Sequence, residues 1–233
     1  MLSDQFEQKR AFQKVDFHCH TNASKDCMVE INALLKTARQ RGLDKLAITD
    51  HNTIKGALRA KEIDPELVIV GEEIFTTSGE LLAFFVTNEI PSRLEPMEVI
   101  KRLKDMGAFI SVSHPFDHMR HGWSEKDLEM ILPHIDAVEI FNARAIRPAI
   151  NLKAIEFAKE NNLLGTVGSD AHSLPEVGIV FQKLAPFSDA KSLRTSLKNA
   201  EFSPIYSSGI VRLSSIYAKM TKRWLKRKRW NDN

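Results

Sequence analysis

The chain has 233 residues, with Lys+Arg 33 against Asp+Glu 30 and a formal charge of +3. With 43% hydrophobic and 27% charged residues and only 10 Gly and 9 Pro, the composition excludes collagen-like, low-complexity and disulfide-scaffold proteins. The most apolar stretch, 81–86, falls far short of the ~20 residues of a bilayer-spanning helix, and the polar opening Ser3-Asp4-Gln5 lacks the apolar run of a secretory signal, so a cytoplasmic protein without a transmembrane segment is expected.

Short runs rich in Val, Ile and Phe predict buried parallel strands over 15–20, 45–49, 67–74, 108–113, 137–141 and 163–167. Segments of helical period lie between them. Residues 30–40 place Ile31, Leu34, Leu35 and Ala38 on one face before Gly42, 97–106 place Val99, Ile100, Leu103 and Met106 likewise before Gly107, and 147–161 repeat the pattern. Thr77-Ser78-Gly79 predicts a tight turn to an antiparallel strand over 80–87. Alternating β and α units imply a sheet covered by helices, and periodicity leaves open whether it is doubly wound or a closed barrel. We expect an extension over 1–14, one domain over 15–208 and a basic tail over 209–233. Residues 219–233 carry seven Lys/Arg against one Asp, which leaves residues 1–218 at −3.

Five of the eight His fall in polar clusters at the carboxyl ends of these strands. The clusters are His18-Cys19-His20, Asp50-His51, Glu72-Glu73, His114 and Asp170-Ala171-His172. In barrels and open α/β sheets that face gathers ligands and catalytic groups. On a strand, His18 and His20 point the same way and Cys19 the other, and Asp170 and His172 repeat the spacing. Imidazoles with carboxylates suit zinc, manganese or iron. Cys19 and Cys27 would close only a tiny loop and are expected as reduced thiols. Cys27 reads as a passive thiol rather than a ligand.

Four separated motifs, DFHCHTNASKD, AITDHNT, GEEIFTTSGELLAFF with SHPFD, and GSDAHS, resemble the PHP (polymerase and histidinol phosphatase) metal-dependent phosphoesterases, over about 15–184. The resemblance implies a distorted (β/α)7, TIM-like barrel with two or three divalent ions. It implies His18, His20 and Asp170 at a first ion, Glu73 bridging to a second with His114, and Asp26, His51 and His172 at a third. Relatives often carry His where this chain has Glu80, which is either a replacement ligand or leaves that ion weakly held. Bound divalent ions lower the pKa of water from about 15.7 to about 7, so a hydroxide held at the metals, with Glu73 bridging, would attack phosphorus without a side-chain nucleophile. The implied substrate is a small phosphomonoester or a nucleotide. An amidohydrolase-like amide or ester hydrolase, or a non-catalytic metal-stabilised module, are the alternatives.

Other residues have two readings. Glu72 or Glu73 faces the ions, with Glu73 favoured by family position. Asp50 either orients His51 or caps a helix beginning near Thr53. Asn142 and Arg144 are candidate contacts to substrate phosphate, and Arg144 is equally a salt-bridge partner. His118, His121 and His134 read as ordinary histidines. In the tail, Ile216, Met220 and Trp224 fall on one helical stripe. The basic helix either meets nucleic acid or an acidic membrane surface, or docks its stripe on the domain.

Overall fold

The computed structural model describes residues 12–208 and 212–231, with side-chain surroundings for 12–208 and 215–225. The strand-helix rhythm runs β1 (Gln13–Cys19), α1 (Ile31–Gln40), β2 (Lys45–Ile48), α2 (Lys55–Ile63), β3 (Val68–Phe75), β4 (Glu80–Phe84), α3 (Pro96–Asp105), β5 (Phe109–Val112), α4 (Glu125–Ile131), β6 (Ala137–Asn142), α5 (Pro148–Glu160) and β7 (Leu164–Gly168). It continues through β8 (Gln182–Leu184), α6 (Ala190–Ser196), β9 (Glu201–Phe202) and α7 (Arg212–Asn231). The expected extension over 1–14 overlaps β1 at its last two residues, and its first eleven lie outside the described residues.

The helices form where the apolar period predicts them. Ile31, Leu34, Leu35 and Ala38 of α1 are buried, and the chain leaves the helix at Gly42, whose φ of +71° suits glycine. In α3, Val99, Ile100 and Leu103 are buried, with Pro96 in the first turn where no intrahelical N–H is needed.

Strands β1–β2–β3 and β5–β6–β7 pair in parallel, and β4 is antiparallel to both β3 and β5. The turn into β4 is the expected one: Thr76 N donates to Gly79 O at 2.8 Å. Gly79 is required by close packing, since a Cβ there would lie 2.5 Å from the Trp123 ring. The strand is shorter than expected, ending at Phe84 before Phe85 turns to φ +63°.

Closure settles the choice between open sheet and barrel. The segment after β7 returns to β1, where Asp170 N donates to His18 O at 2.8 Å and His20 N to Ala171 O at 3.0 Å. Gly168 permits this approach, because a Cβ there would lie 2.2 Å from His18 Cβ. Asp16 braces the seam, accepting from Ser169 N at 2.9 Å and Gly178 N at 3.0 Å, and burial pushes its carboxyl up to about 6. The seven strands thus form a distorted, TIM-like barrel. Strands β8 and β9 extend the sheet beyond β1 and are too short, at three and two residues, to leave a periodic signal in sequence.

Cys19 turns from the two histidines into the apolar cluster of α1 and α2, while α3, α4 and α5 bury a second cluster. No helix among the described residues is long and apolar enough to cross a membrane. The tail is helical over Arg212–Asn231, where Ile216, Met220 and Trp224 of the apolar stripe are 56%, 68% and 60% exposed and Ala218 is buried.

Candidate metal centre

Every strand end that sequence marks with a polar cluster delivers its side chain to one pocket. The antiparallel β4 also contributes, because its first residue, Glu80, lies at the face where the parallel strands end. Glu73 is at the centre. Its Oε2 lies 3.3 Å from His18 Nε2, 3.4 Å from His20 Nε2 and 3.1 Å from His51 Nδ1, and its Oε1 lies 3.1 Å from His114 Nε2. Ser113 Oγ donates to that Oε1 at 2.7 Å.

Three groups of donor atoms surround this carboxylate. His18, His20 and Asp170 converge, with Asp170 Oδ1 3.6 Å and 3.3 Å from the two Nε2 atoms. His51, Glu73 and Glu80 form a second group, with His114 Nε2 3.5 Å from Glu80 Oε2. His20, His51 and His172 form a third. Asp26 bridges it, at 3.3 Å from His51 Nε2 and 3.4 Å from His172 Nε2.

The charges in this pocket offset one another. Burial pushes the Asp26 carboxyl up, but the imidazoles of His172 and His51 together hold it far below the carboxylate range. Glu73 and Asp170 are likewise drawn down against burial, chiefly by His18 with His51 in one case and His20 in the other. In return, Glu73 and Asp26 raise His51 to about 9 against its burial, and Glu73, Asp170 and Glu139 raise His18. His20, desolvated and beside His172, is lowered to about 4. Burial and the neighbouring Glu73 push Glu80 up to about 7.

The donor set fits divalent cations by geometry as well as chemistry. The buried atoms Asp26 Oδ1, His51 Nδ1 and His114 Nδ1 have no hydrogen-bond partner among the described residues. His18 Nε2 and His20 Nε2 face each other at 3.0 Å. Two imidazole lone pairs so placed need a proton or a cation between them.

Asp50 and Asn142 take roles other than those expected, whereas Glu72 takes the outward side that the choice of Glu73 implies. Glu72 points away from the pocket and accepts from Ile90 N at 3.1 Å. Asp50 neither orients His51 nor caps α2, which has Ile54 before it and no side-chain cap. Its carboxylate instead accepts from Thr21 N at 2.7 Å and Thr21 Oγ1 at 2.6 Å, clamping the loop after β1. Asn142, expected at the substrate, is turned inward as a brace, because its amide donates to Glu139 Oε2 and Asp170 Oδ2 and accepts from Arg120 and from Arg144 N. Arg144 does reach the pocket wall. It pairs with Glu176 at 3.1 Å, lies 2.6 Å from His172 Nδ1 and donates to Ser215 Oγ at 3.0 Å. Cys27 is buried and free, its thiol pushed up to about 12 mainly by burial. His134 lies beside Lys104, 3.4 Å away, whereas His121 lines the pocket mouth.

Two residues absent from the sequence reading support the centre. Glu139 of β6 takes His18 Nδ1 at 2.8 Å and His114 N at 2.8 Å, the carboxylate-imidazole arrangement that orients metal-ligating histidines. Arg120 pairs with Asp170 and, at 2.8 Å, with Asp117. A lone Glu in an apolar strand was the only available sign of the first.

A barrel that gathers imidazoles and carboxylates at its strand ends defines the class, and sequence comparison defines the family. The PHP domain profile matches residues 16–106 and the PHP-associated profile residues 148–202. The chain belongs to the PHP family. Two uncharacterized proteins of Methanocaldococcus jannaschii are similar to it. One is 34% identical over 143 residues, spanning 56% of this chain and 82% of the relative; the other is 35% identical over 176 residues, spanning 74% and 70%. Among solved structures, PsfC of Pseudomonas syringae PB-5123 superposes with a TM-score of 0.64 at 19% identity, covering 92% of this chain and 99% of that one. A candidate metal-dependent phosphoesterase from Bifidobacterium adolescentis gives 0.61 at 20% identity over 79% and 95%. A lesion-specific endonuclease from Pyrococcus furiosus gives 0.60 at 15% identity over 82% and 57%. At these identities the structural likeness speaks for the fold.

Proposed function

We propose that the protein is a metal-dependent phosphoesterase that hydrolyses a small phosphomonoester or a nucleotide. The observation that carries this reading is the Glu73 carboxylate, which lies within 3.4 Å of imidazole nitrogens of His18, His20, His51 and His114. His18, His20 and Asp170 would hold one cation, His114 and Glu80 a second, and Asp26, His51 and His172 a third, with Glu73 shared between the first two. Such cations, manganese, zinc or iron by donor type, make water nucleophilic near neutral pH and neutralise phosphate oxygens. The chain's own contribution is orientation. Glu139 fixes the His18 ring, Asn142 fixes the Asp170 carboxylate, and Arg144 supplies a cation at the pocket wall. The outward stripe of α7, with its basic neighbours, belongs to the same reading as a surface for nucleic acid or acidic lipid.

The test is elemental analysis of the gently purified chain, combined with phosphate-ester and amide panels in added manganese or zinc. Two or three ions per chain with phosphate-ester turnover are expected, and Glu73→Ala is expected to lose metal and turnover together. Turnover confined to amides, or a metal-free chain without turnover, would overthrow the reading in favour of an amidohydrolase or a binding module.

A further inference from the structure

The pocket of about 390 Å³ is walled on one side by the 117–122 segment, through Met119, Arg120 and His121, and on the other by α7, through Ser215, Ile216 and Lys219. The helix is tied across the mouth at three points. Arg144, after β6, donates to Ser215 Oγ at 3.0 Å; Lys219 Nζ lies 3.4 Å from Asp26 Oδ2; and Lys222 Nζ donates to Asn22 O and Ser24 O, each at 2.6 Å, in the loop after β1. These ties join the rims after β6 and β1, so α7 roofs the side of the barrel where β7 closes on β1. The helix therefore presents Ser215 and Lys219 to the site with Ile216 at the pocket wall, and leaves Met220 and Trp224 of its apolar stripe outward.

From these contacts we propose that α7 is the specificity element of the site: Lys219 binds the phosphate group of the substrate, and the roofed mouth admits a terminal phosphate while rejecting an internal phosphodiester. The inference rests on the phosphoesterase reading and narrows its substrate class. A strand threaded past the centre needs an entrance and an exit, whereas a terminal phosphate needs an entrance only. The cavity volume also falls near the lower end of the range for small-molecule pockets, about 300–1,000 Å³.

Lys25 and Lys219 are the exposed lysines that line the pocket, and of the two it is Lys219 that is paired with a candidate ligand carboxylate. Arg120 is held by Asp117 and Asp170, and Arg144 by Glu176. Lys219 is half-exposed and, among the described residues, pairs with Asp26, itself a candidate ligand. A divalent cation at Asp26 competes with the ammonium for that carboxylate. A phosphate oxygen is the partner the ammonium gains in exchange, and a terminal phosphate, with its second negative charge, repays it more than a diester does. In the hydrolysis, water forms the new O–P bond as the ester P–O bond breaks; the alcohol leaves with one of the water's protons, and inorganic phosphate retains the new oxygen.

The experiment uses the full chain loaded with manganese. Substrates are p-nitrophenyl phosphate, a linear oligonucleotide with a terminal phosphate and circular single-stranded DNA, which offers internal diesters alone. Release of terminal phosphate with an intact circle is expected. Lys219→Ala should raise KM for both phosphomonoesters about ten-fold with kcat little changed, the loss of one charged contact. Lys219→Arg should recover most of it, and Lys101→Ala, exposed on α3 and outside the pocket lining, should match the parent chain. Equilibrium dialysis of inorganic phosphate should show the same weakening in Lys219→Ala. A circle cut as fast as terminal phosphate is released, or an unchanged KM and phosphate affinity in Lys219→Ala, overturns the inference while leaving the phosphoesterase reading in place. Conversely, phosphate binding that weakens in Lys219→Ala, in a chain that turns over no phosphate ester, keeps the Lys219 contact and sinks the hydrolase.

Discussion

At Glu72 strand alternation sends a carboxyl away from the pocket that its neighbour Glu73 occupies. Burial, with the charge of Glu89 adding to it, pushes Glu72 up to about 8 from an ordinary 4.5, and its Oε1 has no hydrogen-bond partner among the described residues. A carboxylic acid whose folded pKa is raised contributes its stability in full below the unfolded value and loses it as pH climbs through the folded one. For Glu72 that window runs from 4.5 to about 8. Glu72→Gln removes the titration, so thermal melts should place the variant level with or below the parent chain at pH 5 and above it at pH 8, by roughly 1–3 kcal/mol. A pH-independent difference between the two would refute this. The adjacent Glu pair also shows what sequence could deliver: alternation says that one of the two faces the site, and only family position selects Glu73. Glu139 was hidden because one carboxylate inside an apolar run has the same pattern whether it faces solvent or a histidine across the barrel. Asp50 misled for a related reason, since its partner Thr21 is distant in sequence and neither a cap nor a neighbouring histidine is involved.

Helices and strands are legible in the sequence where a single period decides. The stripe of α1 and the His18/His20 pair follow from 3.6- and 2-residue repeats; the turn before β4 follows from Thr-Ser-Gly, and its consequence is that Glu80 enters the site from the start of a strand rather than its end. For α7 periodicity identifies the stripe but not the side that docks, because docking here is polar: Ser215, Lys219 and Lys222 meet Arg144, Asp26 and two backbone carbonyls. The exposed face then combines Ile216, Tyr217, Met220 and Trp224 with exposed Arg223, a composition suited to an anionic interface. The full chain should co-sediment with phosphatidylserine-containing vesicles or retain single-stranded RNA at low salt, and release either as salt rises. A Met220→Ser/Trp224→Ser double variant should weaken vesicle binding while sparing RNA retention by the basic residues. If the chain binds neither at low salt, the outer face has no such role.

Across the whole molecule, imidazole and carboxylate donor atoms from the ends of β1, β2, β3, β5 and β7 and from the start of β4 meet in one pocket, so a cation bound there would tie the circumference of the barrel together. Without cations the carboxylates of Asp26, Glu73 and Asp170 are compensated by protons on His51 and His18, whose pKa values their neighbours raise. A cation entering must displace those protons, so metal affinity should increase as pH rises toward the value of about 9 held by His51 and level off above it. Folding and metal binding are linked in the same way, since the unfolded chain scatters these residues from position 18 to position 172. A ligand that binds only the folded state at about 100 times its Kd adds about 2.7 kcal/mol, and for a chain of this size each kcal/mol moves Tm by about 2–4 °C. Chelation followed by manganese or zinc addition should therefore lower and then restore Tm by about 5–10 °C per occupied site, more at pH 8 than at pH 6. Asp26→Asn removes a donor from one group of residues and leaves the other groups intact, so it should retain part of that gain, whereas Glu73→Ala, which removes the shared carboxylate, should lose most of it. Equal losses in the two variants would mean that Glu73 does not join the groups, and a Tm indifferent to both metals would mean that the pocket is not a metal centre.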